Sequence, residues 1–214
     1  MLSALIHPVS PYQGFDIAAF KPDLQGWNSV DPIFESVLGK LKPKRIVEVG
    51  SWKGLSAIHM ASLLKKSELR DFEILCVDTW LGSYEHWLER DDPMYFDSLR
   101  LKHGFPRLYE QFLANVLITG HADVITPFPL ASGQAAMFLR LKNVEFDLIY
   151  IDGAHDEAGV KADLDAYWPL LRSGGVMLGD DYNELGVRRA ADGFTTECEV
   201  PLGTAGNKFL IVKP

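Results

Sequence analysis

The chain has 214 residues, 47% of them hydrophobic and 23% charged, which is enough to build one well-packed domain without disulfides. Its formal net charge of −8 argues against nucleic acid or an anionic membrane as a partner and leaves carboxylates free for a cation. Because the only cysteines are Cys76 and Cys198 and no apolar run reaches membrane-spanning length, we expect a reducing, cytoplasmic location.

The first 30 residues form an N-terminal arm with many aromatic and apolar residues, which could support a homo-oligomer. Its short apolar start breaks at Pro8 and lacks a basic segment, so it does not read as a signal peptide. A leading helix is predicted over residues 31–41, with Asp31 as the N-cap and Pro32 at the first helical position. Residues 31–214 are predicted to form a single domain.

The rest of the chain alternates between strand-like and helix-like segments. Runs rich in Val, Ile and Leu indicate strands that are buried on both faces, and amphipathic stretches between them indicate helices. This alternation predicts an α/β fold with a doubly wound, mainly parallel, seven-stranded Rossmann-like sheet and helices on both faces. An antiparallel edge strand is expected from "ECEVPL" and "NKFLIVKP" near the C-terminus. The predicted strands are 44–50, 72–78, 122–128, 146–152 and 175–180, and the predicted helices are 55–67, 107–120, 132–142 and 156–172.

Residues 82–104 interrupt this alternation with a polar and aromatic segment that we predict to be a partly helical, lid-like insertion. Its aromatic residues favour a wall for a substrate, and the alternative is a surface excursion without a role. His86, His103 and His121 are expected to be lid or surface residues.

A glycine-containing turn, "VEVGSWKGLS", joins the first predicted strand to the next helix. Gly50 would let a ligand lie against bare backbone, Gly54 would open the helix, and Ser51 lies between them. Ser56 could bind a carboxylate near the helix N-terminus, and Glu48 could accept from an ammonium group. A zwitterionic amino-acid ligand would satisfy both; the alternative is an ordinary tight turn of an α/β protein.

Two further positions point to a nucleoside. Asp78 ends the second predicted strand, where a carboxylate can accept hydrogen bonds from both hydroxyls of a ribose. Ser132 and Gln134 could contact the edge of an adenine base, although "SGQAA" is equally the start of a helix. A solvated strand end is the alternative for Asp78.

Three carboxylates are expected to converge at the ends of the fourth and fifth strands. Asp152 ends one strand, Asp180 and Asp181 end the other, and adjacent strands would bring them together. Such a cluster repels itself unless a cation joins it, and all-oxygen ligation favours Mg²⁺, Mn²⁺ or Ca²⁺ over zinc. His155 could take a proton from a substrate hydroxyl. Helix capping, solvated strand ends and a histidine without a role are the alternatives.

Taken in order, "EVGSWKGLS", "VDTW", "IDGAH" and "LGDDY" resemble class I S-adenosylmethionine-dependent methyltransferases. More narrowly, they resemble the divalent-cation-dependent O-methyltransferases of the catechol and macrocin types. The resemblance implies a methyl donor held by the glycine turn and the strand ends, and a metal held by the three aspartates. The implied donor site comprises Glu48, Gly50, Ser51, Gly54, Ser56, Asp78, Ser132 and Asp152, and the implied metal ligands are Asp152, Asp180 and Asp181.

Two positions depart from the catechol type, which carries Asn where this chain has Asp181 and a catalytic lysine where it has His155. We therefore expect metal-assisted O-methylation of a small-molecule hydroxyl, such as a vicinal diol of a sugar or glycosylated natural product. His155 and Asp152 are the expected catalytic residues. The alternatives are a metal-independent methyltransferase, an NAD-dependent oxidoreductase, which Glu48 and the missing third glycine oppose, and a non-catalytic binding module.

Overall fold

The computed structural model describes every residue from Met1 to Pro214 and contains one seven-stranded sheet. The strand order is β3-β2-β1-β4-β5-β7-β6, with β1 to β5 parallel and β7 and β6 added antiparallel at one edge. This confirms the predicted fold class. The strands are β1 (Arg45–Val49), β2 (Glu73–Asp78), β3 (Ile125–Pro129), β4 (Phe146–Ile151), β5 (Leu171–Gly179), β6 (Leu202–Ala205) and β7 (Lys208–Val212).

Eight α-helices surround the sheet, and the local sequence explains where the leading one begins. The Asp31 side chain accepts a hydrogen bond from the Ile33 N–H at 2.8 Å, and Pro32 is the first helical residue, as predicted. The helices are α1 (Leu2–Ile6), α2 (Pro32–Leu41), α3 (Leu55–Lys66), α4 (Tyr84–Leu88), α5 (Leu108–Ile118), α6 (Ser132–Leu141), α7 (Glu157–Tyr167) and α8 (Leu185–Glu197). None of them is long and apolar enough to cross a membrane.

The C-terminal region differs from the prediction in one respect. The segment "ECEVPL" is not a strand: its first residue, Glu197, ends α8, and β6 begins only at its last residue, Leu202. Helix α8, which was not predicted, buries Val187, Ala190 and Phe194 against the sheet at helical spacing. That burial extends the helix into residues that look strand-like when read alone.

The core lies on both faces of the sheet, as a doubly wound fold requires. Along β4, Ile149 and Ile151 belong to one buried cluster, whereas Leu148 and Tyr150 belong to the other. Because side chains alternate between faces, Tyr150 points to the side covered by α2, where its ring meets Phe34 with centroids 5.2 Å apart.

The N-terminal arm is tied to the body of its own chain. Tyr12 donates a hydrogen bond to the Ile125 carbonyl at 2.9 Å, and Asp23 forms an ion pair with the buried Lys53 at 2.8 Å. The insertion 82–104 holds α4 and a 3₁₀ turn over Phe96–Leu99, so it is partly helical. Its role as a lid, the domain boundaries and homo-oligomerisation through the arm stay predictions.

Candidate active site

The sheet changes direction of winding between β1 and β4, which are paired neighbours. Ligands of open α/β sheets bind outside the carboxyl ends of the strands at such a point, because the connecting helices leave to opposite faces and open a crevice. The carboxyl ends of β1, β2, β4 and β5 carry the acidic residues and glycines that the sequence singles out.

The turn after β1 lies directly against the end of β4. Gly50 has a φ of +86°, and a Cβ built there would lie 2.0 Å from the carbonyl oxygen of Asp152. No side chain fits in that gap, so glycine is required both for the backbone conformation and for the close approach. Gly54, with a φ of +87°, is the N-cap of α3 and has no side chain to cover the free N–H groups there.

Glu48 lies beneath this turn and is completely buried. The Ser56 hydroxyl donates to one of its carboxylate oxygens, and the Cys76 thiol lies 3.6 Å from the other. Burial raises the pKa of Glu48, and the hydrogen bond from Ser56 opposes that shift. Glu48 and Ser56 therefore bond to each other, and Ser51, also buried, lies beside them. Their contact with a donor stays a prediction.

Asp78 ties two turns together at the end of β2. One carboxylate oxygen accepts from the Trp52 N–H at 2.8 Å, and the other accepts from the Trp80 N–H at 2.7 Å. Burial raises the pKa of Asp78, and these backbone hydrogen bonds oppose the shift. Ser132 is the first residue of α6, close after the point where Pro129 of β3 pairs with Asp78.

Asp152, Asp180 and Asp181 converge as predicted. Each offers a carboxylate oxygen, and these oxygens all lie within 4.8 Å of one another. The pairing of β4 with β5 brings the aspartates together, since the Asp180 N–H donates to the Ile151 carbonyl at 3.0 Å. Asp181 adopts a left-handed conformation with a φ of +54°, which turns the chain at the end of β5.

The three carboxylates differ electrostatically. Burial and the negative charges of Asp180 and Asp181 raise the pKa of Asp152 well above its usual value, and burial also raises the pKa of Asp180. The pKa of Asp181 is lowered because His155 donates to it, with His155 Nε2 3.3 Å from Asp181 Oδ2. The same contact raises the pKa of His155, whose side chain is 49% exposed.

The comparisons agree with this geometry. A family model described as a methyltransferase domain matches residues 47–182. The chain belongs to this methyltransferase family. No curated protein matched its sequence.

Solved structures of the same fold include several methyltransferases. An O-methyltransferase from Bacillus cereus in complex with SAH is 18% identical, with a TM-score of 0.61 over 92% of this chain and 86% of that one. TomG from Streptomyces achromogenes, an O-methyltransferase involved in tomaymycin synthesis and solved with SAM, is 16% identical, with a TM-score of 0.62 over 90% and 83%. CalS11, a calicheamicin methyltransferase, is 18% identical, with a TM-score of 0.59 over 84% and 77%. At these identities the likeness establishes the fold.

The methyltransferase site contains polar residues that sequence reasoning missed. Lys208, at the start of β7, places its ammonium 2.7 Å from Asp180 Oδ2, and Asn207 donates to Asp181 Oδ1 at 3.0 Å. The Tyr150 hydroxyl lies 3.1 Å from Asp152 Oδ2 and 3.0 Å from Asp180 Oδ2. The one available signal is a lysine at the start of an apolar run, "NKFLIV", because a charge there must be exposed or paired.

A second group that was missed joins the arm, the glycine turn and the insertion of the methyltransferase. The rings of Trp52 and His86 lie 4.3 Å apart between centroids, and Trp27 and Tyr95 pack around them at 5.5 to 6.1 Å. His86 therefore belongs to the insertion, as expected, but is buried. His121 is also buried, bonded to Ser62 at 3.0 Å, so its assignment as a lid or surface residue was wrong.

A small cleft opens beside the three aspartates. His155 and the acidic residues form its polar side, and Ile151, Val187 and Phe209 are among its apolar lining residues. A reacting group entering this cleft would meet the carboxylates and the imidazole together.

Proposed function

We propose that this methyltransferase uses S-adenosylmethionine to methylate a hydroxyl of a small molecule, assisted by a divalent metal. The observation that carries the proposal is the contact between the glycine turn and the acidic trio. The backbone of Gly50 lies against Asp152, and Asp152 lies within 4.8 Å of the other two aspartates. One residue thus joins the predicted donor site to the predicted metal site.

The donor would lie across the carboxyl ends of β1 and β2. Its amino-acid end would meet the turn formed by Gly50, Ser51 and Gly54, where unpaired N–H groups at the start of α3 favour a carboxylate. Its ribose would meet Asp78, whose oxygens already accept two N–H bonds and keep lone pairs for hydroxyls. Ser132 would lie near the base. Two fold neighbours, the O-methyltransferase from Bacillus cereus and TomG, were solved with SAH and SAM, which supports this assignment.

The acidic trio fits a hard divalent cation. Asp152, Asp180 and Asp181 supply carboxylate oxygens only, and no cysteine or second histidine lines the cleft, a donor set that suits Mg²⁺, Mn²⁺ or Ca²⁺. The raised pKa values of Asp152 and Asp180 show that the carboxylates repel one another and lack solvation, a cost that a cation would offset. When bound, a dication supplies Lewis-acid activation of a hydroxyl nucleophile.

His155 is placed to receive the proton of that hydroxyl. Its half-exposed imidazole lines the cleft, and Asp181 accepts from Nε2 and thereby holds the ring. A base oriented by a carboxylate is a recurrent arrangement in catalysis, typically worth about 10²–10⁴-fold in rate. The other nitrogen, Nδ1, then carries the lone pair that accepts the proton. Asp152 is the second proposed catalytic residue, beside His155.

The acceptor is proposed to be a small diol, such as a sugar or glycosylated metabolite. Two oxygens on neighbouring carbons would let the substrate coordinate a dication held by the acidic trio while one oxygen faces the methyl donor. Exposed aromatic residues of the insertion, Tyr84 and Trp87, offer flat apolar surfaces of the kind that sugar and aromatic rings stack on. A natural-product methyltransferase, CalS11, is among the fold neighbours, which agrees with this class of acceptor.

The test is methyl transfer from labelled donor to a panel of vicinal diols, with Mg²⁺ and with EDTA, alongside calorimetry of donor-product binding. We expect turnover that EDTA abolishes and that Asp180→Ala reduces by at least about 100-fold. Asp165→Ala is the matched control, because Asp165 forms only a surface ion pair with Lys161. Turnover insensitive to EDTA and to Asp180→Ala would instead support the metal-independent alternative, for which the buried Lys208 beside Asp180 already supplies one positive charge.

A further inference from the structure

The acidic trio has a positively charged partner that comes from β7, the antiparallel neighbour of β5. Lys208 has no exposed surface, and its ammonium lies 2.7 Å from Asp180 Oδ2 and 3.0 Å from the Tyr150 hydroxyl. Lysine is almost never fully buried unless it is paired, because removing an ammonium from water costs several kcal/mol. A lysine in this position needs its carboxylate partner.

Aromatic rings and a single close carboxylate surround the Lys208 ammonium. Its ammonium lies 5.4 Å from the centre of the Phe34 ring and 5.2 Å from that of Tyr150, so aromatic faces enclose it. Asp180, whose side chain is 2% exposed, is its one ion-pair partner. In such a dry environment the interaction is screened little by water or salt.

The Tyr150 hydroxyl connects this ion pair to the rest of the trio. It accepts from Lys208 and lies within hydrogen-bond distance of both Asp152 and Asp180. The single hydroxyl proton can be donated to either of these carboxylates, so the hydroxyl links them. Three carboxylates and one ammonium leave a net charge of minus two, which a divalent ion balances.

We propose that Lys208 is a built-in counter-cation that positions Asp180 and matches the charge of the trio to a divalent ion. This inference rests on the metal site of the proposed function. Lys208 acts on the metal through Asp180 and does not contact the reacting atoms, so it is a positioning residue. Without it, the trio would carry three negative charges, and its stability would depend more strongly on an added cation.

The test compares thermal unfolding of the full chain with and without MnCl₂, for the unsubstituted protein and Lys208→Met. Methionine keeps the length and apolar body of the side chain but removes the charge. We expect Mn²⁺ to raise the melting temperature of both proteins, with an increment at least about twice as large for Lys208→Met, because uncompensated carboxylates gain more from the ion. A role in packing alone would lower both melting temperatures equally and leave the increment unchanged, which would overturn the inference.

Lys213→Met is the matched control. Lys213 follows β7, lies over the Trp168 ring at 5.4 Å and donates to two backbone carbonyls, those of Trp168 and Leu171, but has no part in the trio. Its substitution should lower stability and leave the Mn²⁺ increment as it was. An increment that grows equally in both variants would count against a specific role for Lys208.

A second measurement tests the matching of charge. Repulsion between the ammonium and a bound ion scales with the charge of the ion, so Lys208→Met should raise the affinity for Tb³⁺ over that for Mn²⁺ by about tenfold. An unchanged ratio would refute charge matching.

If Lys208→Met does not fold, the double variant Lys208→Met, Asp180→Asn removes both charges of the buried pair. Because Asp152 and Asp181 again leave two negative charges, it should fold and keep a Mn²⁺ increment close to that of the unsubstituted protein; an increment twice as large would overturn the inference.

The outcomes separate this inference from the proposed function. A Mn²⁺ increment in the unsubstituted protein that Lys208→Met does not enlarge leaves the metal site intact and removes the role of Lys208. An increment that appears only in Lys208→Met would show that the lysine takes the place of the metal, which overturns the matching to a divalent ion and rejects the metal-assisted reaction. No increment in either protein would reject both.

Discussion

Replacing Gly50 by alanine tests the contact that joins the two halves of the proposed active site. At this position the backbone has a φ of +86°, and the new Cβ would lie 2.0 Å from the Asp152 carbonyl oxygen. A left-handed conformation costs an L-residue about 1–2 kcal/mol. The contact is more than 1 Å too short in addition, and because the clashing atom belongs to the backbone, no rotamer change can relieve it.

The loss of stability expected for Gly50→Ala follows from the hydrogen bonds that the displaced turn would strain. Separating the turn from β4 strains the hydrogen bond from the Asp152 N–H to the Val49 carbonyl, 2.8 Å, and that from the Gly50 N–H to the Val77 carbonyl, 2.9 Å. At about 1 kcal/mol for each, plus the backbone strain, we expect Gly50→Ala to lower the free energy of unfolding by about 3–4 kcal/mol. For a chain of this size that corresponds to a fall in melting temperature of roughly 6–16 °C.

Gly120→Ala supplies the control, because Gly120 has a φ of +74° but no atom within 4 Å of the added Cβ. Gly120→Ala should lower the free energy of unfolding only by the cost of the left-handed conformation, about 1–2 kcal/mol. The assays are thermal unfolding by circular dichroism and calorimetry of donor-product binding, which Gly50→Ala should abolish and Gly120→Ala should retain. Equal losses of stability in the two variants, with donor-product affinity intact in both, would refute the close approach of the turn to Asp152.

Three further predictions address other links of the argument. Asp31→Ala removes the N-cap of α2 and should cost about 1 kcal/mol, measured by urea unfolding, whereas Asp31→Asn should cost little; equal losses would contradict the cap. Burial raises the pKa of Glu48, so ionised Glu48 destabilises the fold. This cost is absent when the pH is below the pKa of Glu48 in the unfolded chain, and it grows as the pH rises through the pKa in the folded protein. Glu48→Gln should therefore gain stability relative to the unsubstituted protein as the pH rises above about 4, and a difference that does not vary with pH would exclude this reasoning. His155→Gln should lower kcat for methyl transfer by about 10²–10⁴-fold with little change in donor affinity, and an unaltered kcat would remove His155 as the base.

The strands and the acidic trio were predictable because their signals are local. A strand covered on both faces is apolar at nearly every position, and the run from Phe146 to Ile151 shows this, with Asp147 as its one charged residue. Parallel strands end at the same edge of a sheet, so a carboxylate that follows each of two neighbouring strands must meet its counterpart there. Asp152 and Asp180 needed only the pairing of β4 with β5 to come together.

The residues that were missed have partners far away in sequence. Lys208 contacts Tyr150 across 58 positions, and nothing near either residue indicates the pairing. Trp27, from the arm, meets Trp52 and Tyr95, from the glycine turn and the insertion, only because the arm folds back over the turn. Helix α8 was different, since its apolar spacing was visible and only its last residue, Glu197, belongs to the strand-like "ECEVPL".

The residues that were predictable and those that were missed come from different parts of the sheet. The parallel strands supply the groups that would touch donor and metal, because their carboxyl ends open into the crevice. The antiparallel hairpin of β6 and β7 supplies Asn207 and Lys208, which bond to the same carboxylates from the neighbouring edge. Changes in the hairpin should therefore alter the charge and preferred ion of the trio while leaving the donor turn, which contacts β2 and β4, unchanged. Under the proposed function, two hairpin residues, Asn207 and Lys208, set the ion preference of the trio separately from the proposed donor site.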